Sequence, residues 1–167
     1  MDAQQLSVAG VTPFTTIDFP GRLAAVVFCR GCLWACPYCH NAKTLRGLQV
    51  RGWEDIETFL YKRRGLLDGV VFSGGEPSLY DSVDDAMRIV KDMGFGVAMH
   101  TGGSLPNALN RLLSNRLLDW VGIDYKAPLA IYDEVTGDLS SGDSVIKSLQ
   151  LLREYGNEFE VRSTVGD

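Results

Sequence analysis

Leu23-Ala24-Ala25-Val26-Val27-Phe28 runs straight into Cys29-Arg30-Gly31-Cys32-Leu33-Trp34-Ala35-Cys36-Pro37-Tyr38-Cys39-His40-Asn41. The first part is an unbroken apolar run, the look of a strand buried on both faces as in a parallel sheet. The second part carries all four cysteines of the chain, and the 154 residues outside 29–41 contain none. Cys32-x3-Cys36-x2-Cys39 offers three thiolates that can hold three irons of a cubane and leave the fourth iron open. Cys29-x2-Cys32 and Cys36-x2-Cys39 also form two short pairs, which admits a zinc site. Zinc ribbons usually separate such pairs by roughly 15–20 residues so that two knuckles can face each other, whereas three residues intervene here. A redox-active thiol pair is the remaining alternative. Cys29 ends an apolar strand and reads as a packing residue, not a fourth ligand.

Outward from this stretch, apolar runs and helical periods alternate. Residues 8–21 carry Thr12, Pro13, Thr15, Thr16, Asp18, Pro20 and Gly21 and read as irregular. Residues 53–64 predict a helix with Trp53, Ile56, Phe59 and Leu60 on one face. Gly69-Val70-Val71-Phe72 predicts a second strand, ending in Ser73-Gly74-Gly75-Glu76-Pro77. Val83, Ala86, Met87, Val90 and Met93 mark a helix closed by Gly94. Residues 95–99 form a third strand, followed by His100-Thr101-Gly102-Gly103, and Leu105, Ala108, Leu109, Leu112 and Leu113 keep the helical period. Trp120-Val121-Gly122-Ile123 is a fourth strand, ending in Asp124-Tyr125-Lys126. A short helix is expected around 129–135. Val145, Ile146, Leu149 and Leu152 mark another, with Asp143 as N-cap and Gly156 past its end. The alternation in residues 159–165 gives a fifth strand.

Strands alternating with helices argue for a parallel sheet of βα units. Each strand delivers polar or glycine-rich residues at its C-terminal end, where sites of such folds form. The clusters at 29–41, 73–77, 100–103, 124–126 and 162 are therefore expected to converge.

Hydrophobic content of 46% and charged content of 22% suit one ordinary globular domain spanning 1–167. A net charge of −5 gives no electrostatic reason to expect nucleic acid or an anionic membrane as partner. The first residues lack the basic and apolar regions of a signal peptide. The longest apolar run, residues 23–29, is far short of a membrane span. A cytoplasmic protein is expected, in which clustered cysteines serve as ligands or redox groups more often than as disulfides.

The C-x3-C-x-Tyr-C pattern resembles the radical S-adenosylmethionine (SAM) superfamily. Thr15-Thr16-Ile17-Asp18-Phe19-Pro20-Gly21, Val27-Phe28-Cys29-Arg30-Gly31-Cys32 and Cys36-Pro37-Tyr38-Cys39-His40-Asn41 more narrowly resemble the anaerobic ribonucleotide reductase activating proteins. Arg63-Arg64-Gly65-Leu66-Leu67-Asp68, Ser73-Gly74-Gly75-Glu76-Pro77 and Asp124-Tyr125-Lys126-Ala127-Pro128 extend the likeness over nearly the whole chain. The resemblance implies a partial (βα)6 barrel, and ending at the fifth strand implies a domain incomplete at its C-terminus. It implies a [4Fe–4S] cluster on Cys32, Cys36 and Cys39, with S-adenosylmethionine on the open iron. Reductive cleavage would give a 5′-deoxyadenosyl radical, which takes a hydrogen atom from a glycine of an anaerobic ribonucleotide reductase. A one-electron donor such as a flavodoxin or ferredoxin would supply the electron. Gly74, Gly75 and Glu76 would present backbone to the methionine amino group, Tyr38 would lie near adenine, and Thr101, Asp124 and Lys126 would lie near the ligand. Arg162 would pair with its carboxylate.

Two positions depart from the pattern or stand outside it. His100 stands where relatives of the pyruvate formate-lyase activating type carry an aspartate that helps hold a cation, which puts that cation site in doubt. His40 follows the third cysteine and is expected to act as neither ligand nor base. Two other functions fit parts of the same sequence: a radical enzyme acting on a small molecule or another protein, and a non-catalytic Fe–S or zinc module.

Overall fold

A computed structural model describes residues 2–42 and 52–164. Its frame is a six-stranded sheet in sequential order, β1 to β6. The strands are β1 (Val8–Thr15), β2 (Ala24–Cys29), β3 (Gly69–Gly74), β4 (Gly96–Thr101), β5 (Trp120–Tyr125) and β6 (Glu158–Ser163). β2 to β6 are mutually parallel, as the five expected strands require. The sheet is open and not closed into a barrel.

β1 corrects the reading of residues 8–21 as irregular. Val8–Thr15 pairs antiparallel with β2, with register shifts between Val8 and Gly10 and between Thr12 and Thr15. Gly10 and Pro13 lie at or within those irregularities and mask the strand composition. An edge strand tolerates them because its outer side needs no ladder partner.

The crossover helices are α1 (Trp53–Tyr61), α2 (Val83–Asp92), α3 (Pro106–Ser114), α4 (Tyr132–Thr136) and α5 (Ser141–Tyr155). Their apolar faces cover one side of the sheet. Trp53, Ile56, Leu60, Met87, Val90, Leu109, Leu112, Val145 and Leu152 are buried against Val27, Val70, Phe72, Val97, Met99, Val121 and Ile123. Each such side chain contributes about 1.5–3 kcal/mol by leaving water. Asp143 is not the N-cap of α5. That helix starts at Ser141, and its first turn is held by Asp133 of α4, whose Oδ1 accepts from Gly142 N and Ser141 Oγ, both at 2.9 Å. Those bonds reach back eight and nine residues along the chain, where a local signature gives no hint of them.

The other side of the sheet is organised in rows, because partners in a parallel register share a face. Val26, Val71, Ala98 and Trp120 form one apolar row, closed by Phe19 from the β1–β2 connection. Phe28, Ser73, His100 and Gly122 stand in the next row toward the C-terminal edge, and Asp124 and Arg162 face each other in the row beyond. Polarity thus rises along the strands. No helix among the described residues is long and apolar enough to cross a membrane.

Candidate functional site

The C-terminal ends of the strands and the cysteine loop enclose a cavity of about 320 Å³. Cys32, Cys36, Cys39, Tyr38, Gly74, Gly75, Glu76, Thr101, Asp124, Lys126 and Arg162 all line it. The fold therefore brings together every residue singled out from the sequence.

Cys32, Cys36 and Cys39 are half-buried free thiols on the loop. Burial raises the Cys32 and Cys36 thiols above their ordinary range; at Cys36 the nearby Lys126 charge works the other way. Cys29 is a different case. It is fully buried at the end of β2, and burial followed by the Glu76 charge pushes its thiol far up. It packs in the core, as its place in the strand implies. Among the described residues, no group of three or more His, Cys, Asp or Glu side chains converges on a single metal-ion position.

The loop is fastened from several sides. Gly75 N and Glu76 N donate to Cys29 O (2.9 Å) and Gly31 O (2.8 Å). Gly74 sits at φ +109, and a Cβ there would lie 2.4 Å from Cys29 O, so only glycine lets β3 approach this closely. Both N–H groups are thereby spent on the loop. Trp34 and Asn41, which sequence reasoning missed as site residues, complete the fastening. Asn41 Nδ2 donates to Gly74 O at 3.3 Å, Trp34 N donates to Cys32 Sγ at 3.4 Å, and Trp34 Nε1 donates to Asp138 at 3.3 Å. Both lie inside the quoted cysteine stretch; their partners, distant in sequence, give them their roles.

Glu76 is nearly inaccessible at 1% exposure. Its carboxylate accepts from Ser78 N, Ser78 Oγ, Thr101 Oγ1 and Gly102 N. Burial raises its carboxyl, and the Ser78, Thr101 and Gly102 donors act against that. The Glu76 and Thr101 side chains thus fasten the β3 loop to the β4 loop, and their polar atoms already have partners.

On the far wall, Tyr38 Oη donates to Lys126 O at 2.7 Å, and Lys126 Nζ pairs with Asp124 at 2.9 Å. Burial alone would lower the Lys126 ammonium, but Asp124, by charge and hydrogen bond, raises it overall. Arg162 Nε pairs with Glu160 at 3.1 Å, and its guanidinium lies 5.4 Å from the Trp120 ring centroid. His100 is half-buried beside it. His40 lines the cavity with no described hydrogen bond.

The frame is an open, mostly parallel α/β sheet that carries a three-thiol loop over the C-terminal ends of its strands. The chain belongs to the radical SAM superfamily, whose family model matches residues 26–167. It is 35% identical over 167 residues to a Methanocaldococcus jannaschii protein provisionally named as a glycyl-radical enzyme activating enzyme, covering 94% of this chain and 67% of that one. It is 25% identical over 138 residues to an S-adenosylmethionine-dependent nucleotide dehydratase of a Thermoplasmatales archaeon, covering 80% of this chain and 49% of that one. The fold matches Streptococcus suis SuiB, solved bound to S-adenosylmethionine, with a TM-score of 0.59 at 17% identity, covering 83% of this chain and 30% of that one. The chain thus spans two-thirds or less of each of these proteins. The superfamily implies a [4Fe–4S] cluster and S-adenosylmethionine. The donor set fits such a cluster, with three partly exposed thiols on one cavity wall and the fourth cysteine removed into the core.

Proposed function

We propose that this chain is a glycyl-radical activating enzyme that installs the radical on an anaerobic ribonucleotide reductase. The observation that carries this reading is the convergence of the cysteine loop and four further strand ends on one cavity. The 35% identity to the M. jannaschii protein supports the activating-enzyme branch.

Cys32, Cys36 and Cys39 would hold a [4Fe–4S] cluster. When bound, the cluster and S-adenosylmethionine supply the electron transfer and the radical that abstracts hydrogen from a glycine of the partner. The chain's own residues bind and orient. The backbone of Gly74, Gly75 and Glu76, which lines the cavity, would meet the ligand's amino group. The paired Asp124 and Lys126 present one charge of each sign to its polar groups, and Arg162 receives its carboxylate. Tyr38, tethered through its hydroxyl to Lys126 O, lays a fixed ring beside the adenine. Glu76 and Thr101 hold the β3 and β4 loops at their spacing and leave ligand contact to the backbone around them. A flavodoxin- or ferredoxin-type protein would supply the electron.

The test begins with anaerobic reconstitution. About four irons and four sulfides per chain are expected, and dithionite with S-adenosylmethionine should then release 5′-deoxyadenosine. Mixing with an anaerobic reductase should produce a glycyl radical signal by electron paramagnetic resonance. Cleavage without a radical on any partner would overturn the activase assignment. A second reading, a radical enzyme acting on a small molecule, draws on the likeness to the archaeal nucleotide dehydratase. Nucleotide consumption with no protein partner would favour it.

A further inference from the structure

The β1–β2 connection and His100 have no part in the function above, yet the fold joins them to it. The connection turns under the sheet. Thr15 Oγ1 donates to Asp18, Ile17 N donates to Thr15 Oγ1, and Phe19 is buried against Trp120 with ring centroids 6.2 Å apart. This turn aims Asp18 O at His100 Nε2, 2.9 Å away. A carbonyl only accepts, so Nε2 carries the ring's hydrogen. Nδ1 then keeps its lone pair toward Ser73 Oγ at 3.4 Å. A Cβ at Gly122 would crowd Trp120 Cη2 at 2.9 Å and His100 Cδ2 at 3.1 Å, so glycine keeps this part of the face open.

Arg162 approaches the same ring. Its Nη1 is 3.4 Å from Nδ1 and its Nη2 is 3.3 Å from Nε2. Two terminal nitrogens, each donating toward one ring nitrogen at nearly the same distance, hold the guanidinium against the ring. An in-plane hydrogen bond to Nε2 is ruled out because that direction belongs to Asp18 O. The Arg162 N–H groups therefore meet the ring from its face. Glu160 takes the Nε side of the guanidinium, so the ring and Glu160 together fix its orientation in the cavity that Arg162 lines.

We infer that His100 is a positioning residue: a neutral, tautomer-fixed platform, set by the 15–19 turn, whose face takes the Arg162 N–H groups and so holds the guanidinium in place to receive a carboxylate. The inference deepens the function proposed above, and rests on it for the identity of that carboxylate, the one on S-adenosylmethionine. The groups around the ring agree with a neutral platform. Burial first, then the Arg162 charge, hold His100 below its ordinary range, while Asp18 and Asp124 act in the opposite direction. Glu160, on β6, faces Arg162 rather than the ring.

The test uses the full chain, cluster-loaded, oxidised and anaerobic, so that S-adenosylmethionine binds without turnover. R162M is expected to weaken binding by about ten-fold or more, and H100A by about five-fold. In the R162M background H100A should change binding by less than two-fold, because coupled residues do not add. Binding of decarboxylated S-adenosylmethionine should be nearly the same in all four proteins. H100F, which restores a flat face, should recover part of the H100A loss. An H100A effect of equal size in both backgrounds would overturn the inference, as would wild-type binding by R162M. Nitrogen NMR of the histidine ring in the same protein reads the platform without any ligand. The Nε2–H tautomer, neutral at pH 7, is expected; the Nδ1–H tautomer or a charged ring overturns the inference even if the protein binds S-adenosylmethionine. Failure of every protein to bind S-adenosylmethionine, with the expected tautomer present, would instead remove the proposed function and with it the carboxylate.

Discussion

The cysteine loop at 29–41 and the turn at 15–19 are the two irregular segments that build the site, one above the strand ends and one below the sheet's inner face. The loop works through local spacing: its thiols recur within eight residues, and their separation alone suggests what they hold. The turn works through distant partners, since Asp18, Phe19, His100, Trp120 and Arg162 meet only in the fold. The contrast teaches that sequence spacing announces donors, whereas the parts that aim and hold a ligand come from register across the sheet.

Substitutions at the two segments should separate these roles. The largest effect is expected from C36A. With two thiols left on the loop, iron loading should fall to background, and S-adenosylmethionine cleavage should fall by at least about a thousand-fold while the fold persists. Iron analysis beside circular dichroism reads both. F19A should do the opposite. Emptying a buried aromatic site costs about 3–5 kcal/mol, to be measured by denaturant unfolding, and the thiols stay in place. C29A sharpens the comparison inside the loop itself. It should keep its iron and lose about 1–2 kcal/mol, the cost of trimming a small buried side chain. Loss of the cluster in C29A would make Cys29 a ligand and erase the distinction drawn here.

The smallest effect is a pH slope. His100 is held below its ordinary value of 6.5, by burial first and by Arg162 second. Between the two values the unfolded chain takes up a proton that the folded chain refuses. The contribution is therefore whole above about pH 6.5 and is lost as pH falls below it, by at most about 1.4 kcal/mol per pH unit. Unfolding followed from pH 7.5 to 5 should show this slope in the wild type and a flatter one in H100Q.

Much of the architecture was legible because buried parallel strands are unbroken apolar runs and their helices keep a clear period. Leu109, Leu112 and Val90 fall where that period puts them, all buried. β1 was not legible, since an edge strand with Pro13 and Gly10 carries the composition of a turn. The convergence of residues 74–76, 101, 124, 126 and 162 followed from strand direction alone. The tasks of the side chains did not. Nothing in Gly-Gly-Glu says that the glutamate turns inward to Thr101 and Ser78, and nothing in His100-Thr101 says that the histidine faces Arg162, sixty-two residues on.

Everything proposed here depends on Cys32, Cys36 and Cys39 holding a cluster beside a cavity that takes S-adenosylmethionine. Anaerobically reconstituted protein, given dithionite and S-adenosylmethionine, tests it most directly by chromatography of the products. 5′-Deoxyadenosine and methionine are expected in equal amounts, with about four irons per chain. Retained zinc with no iron uptake and no cleavage would contradict it.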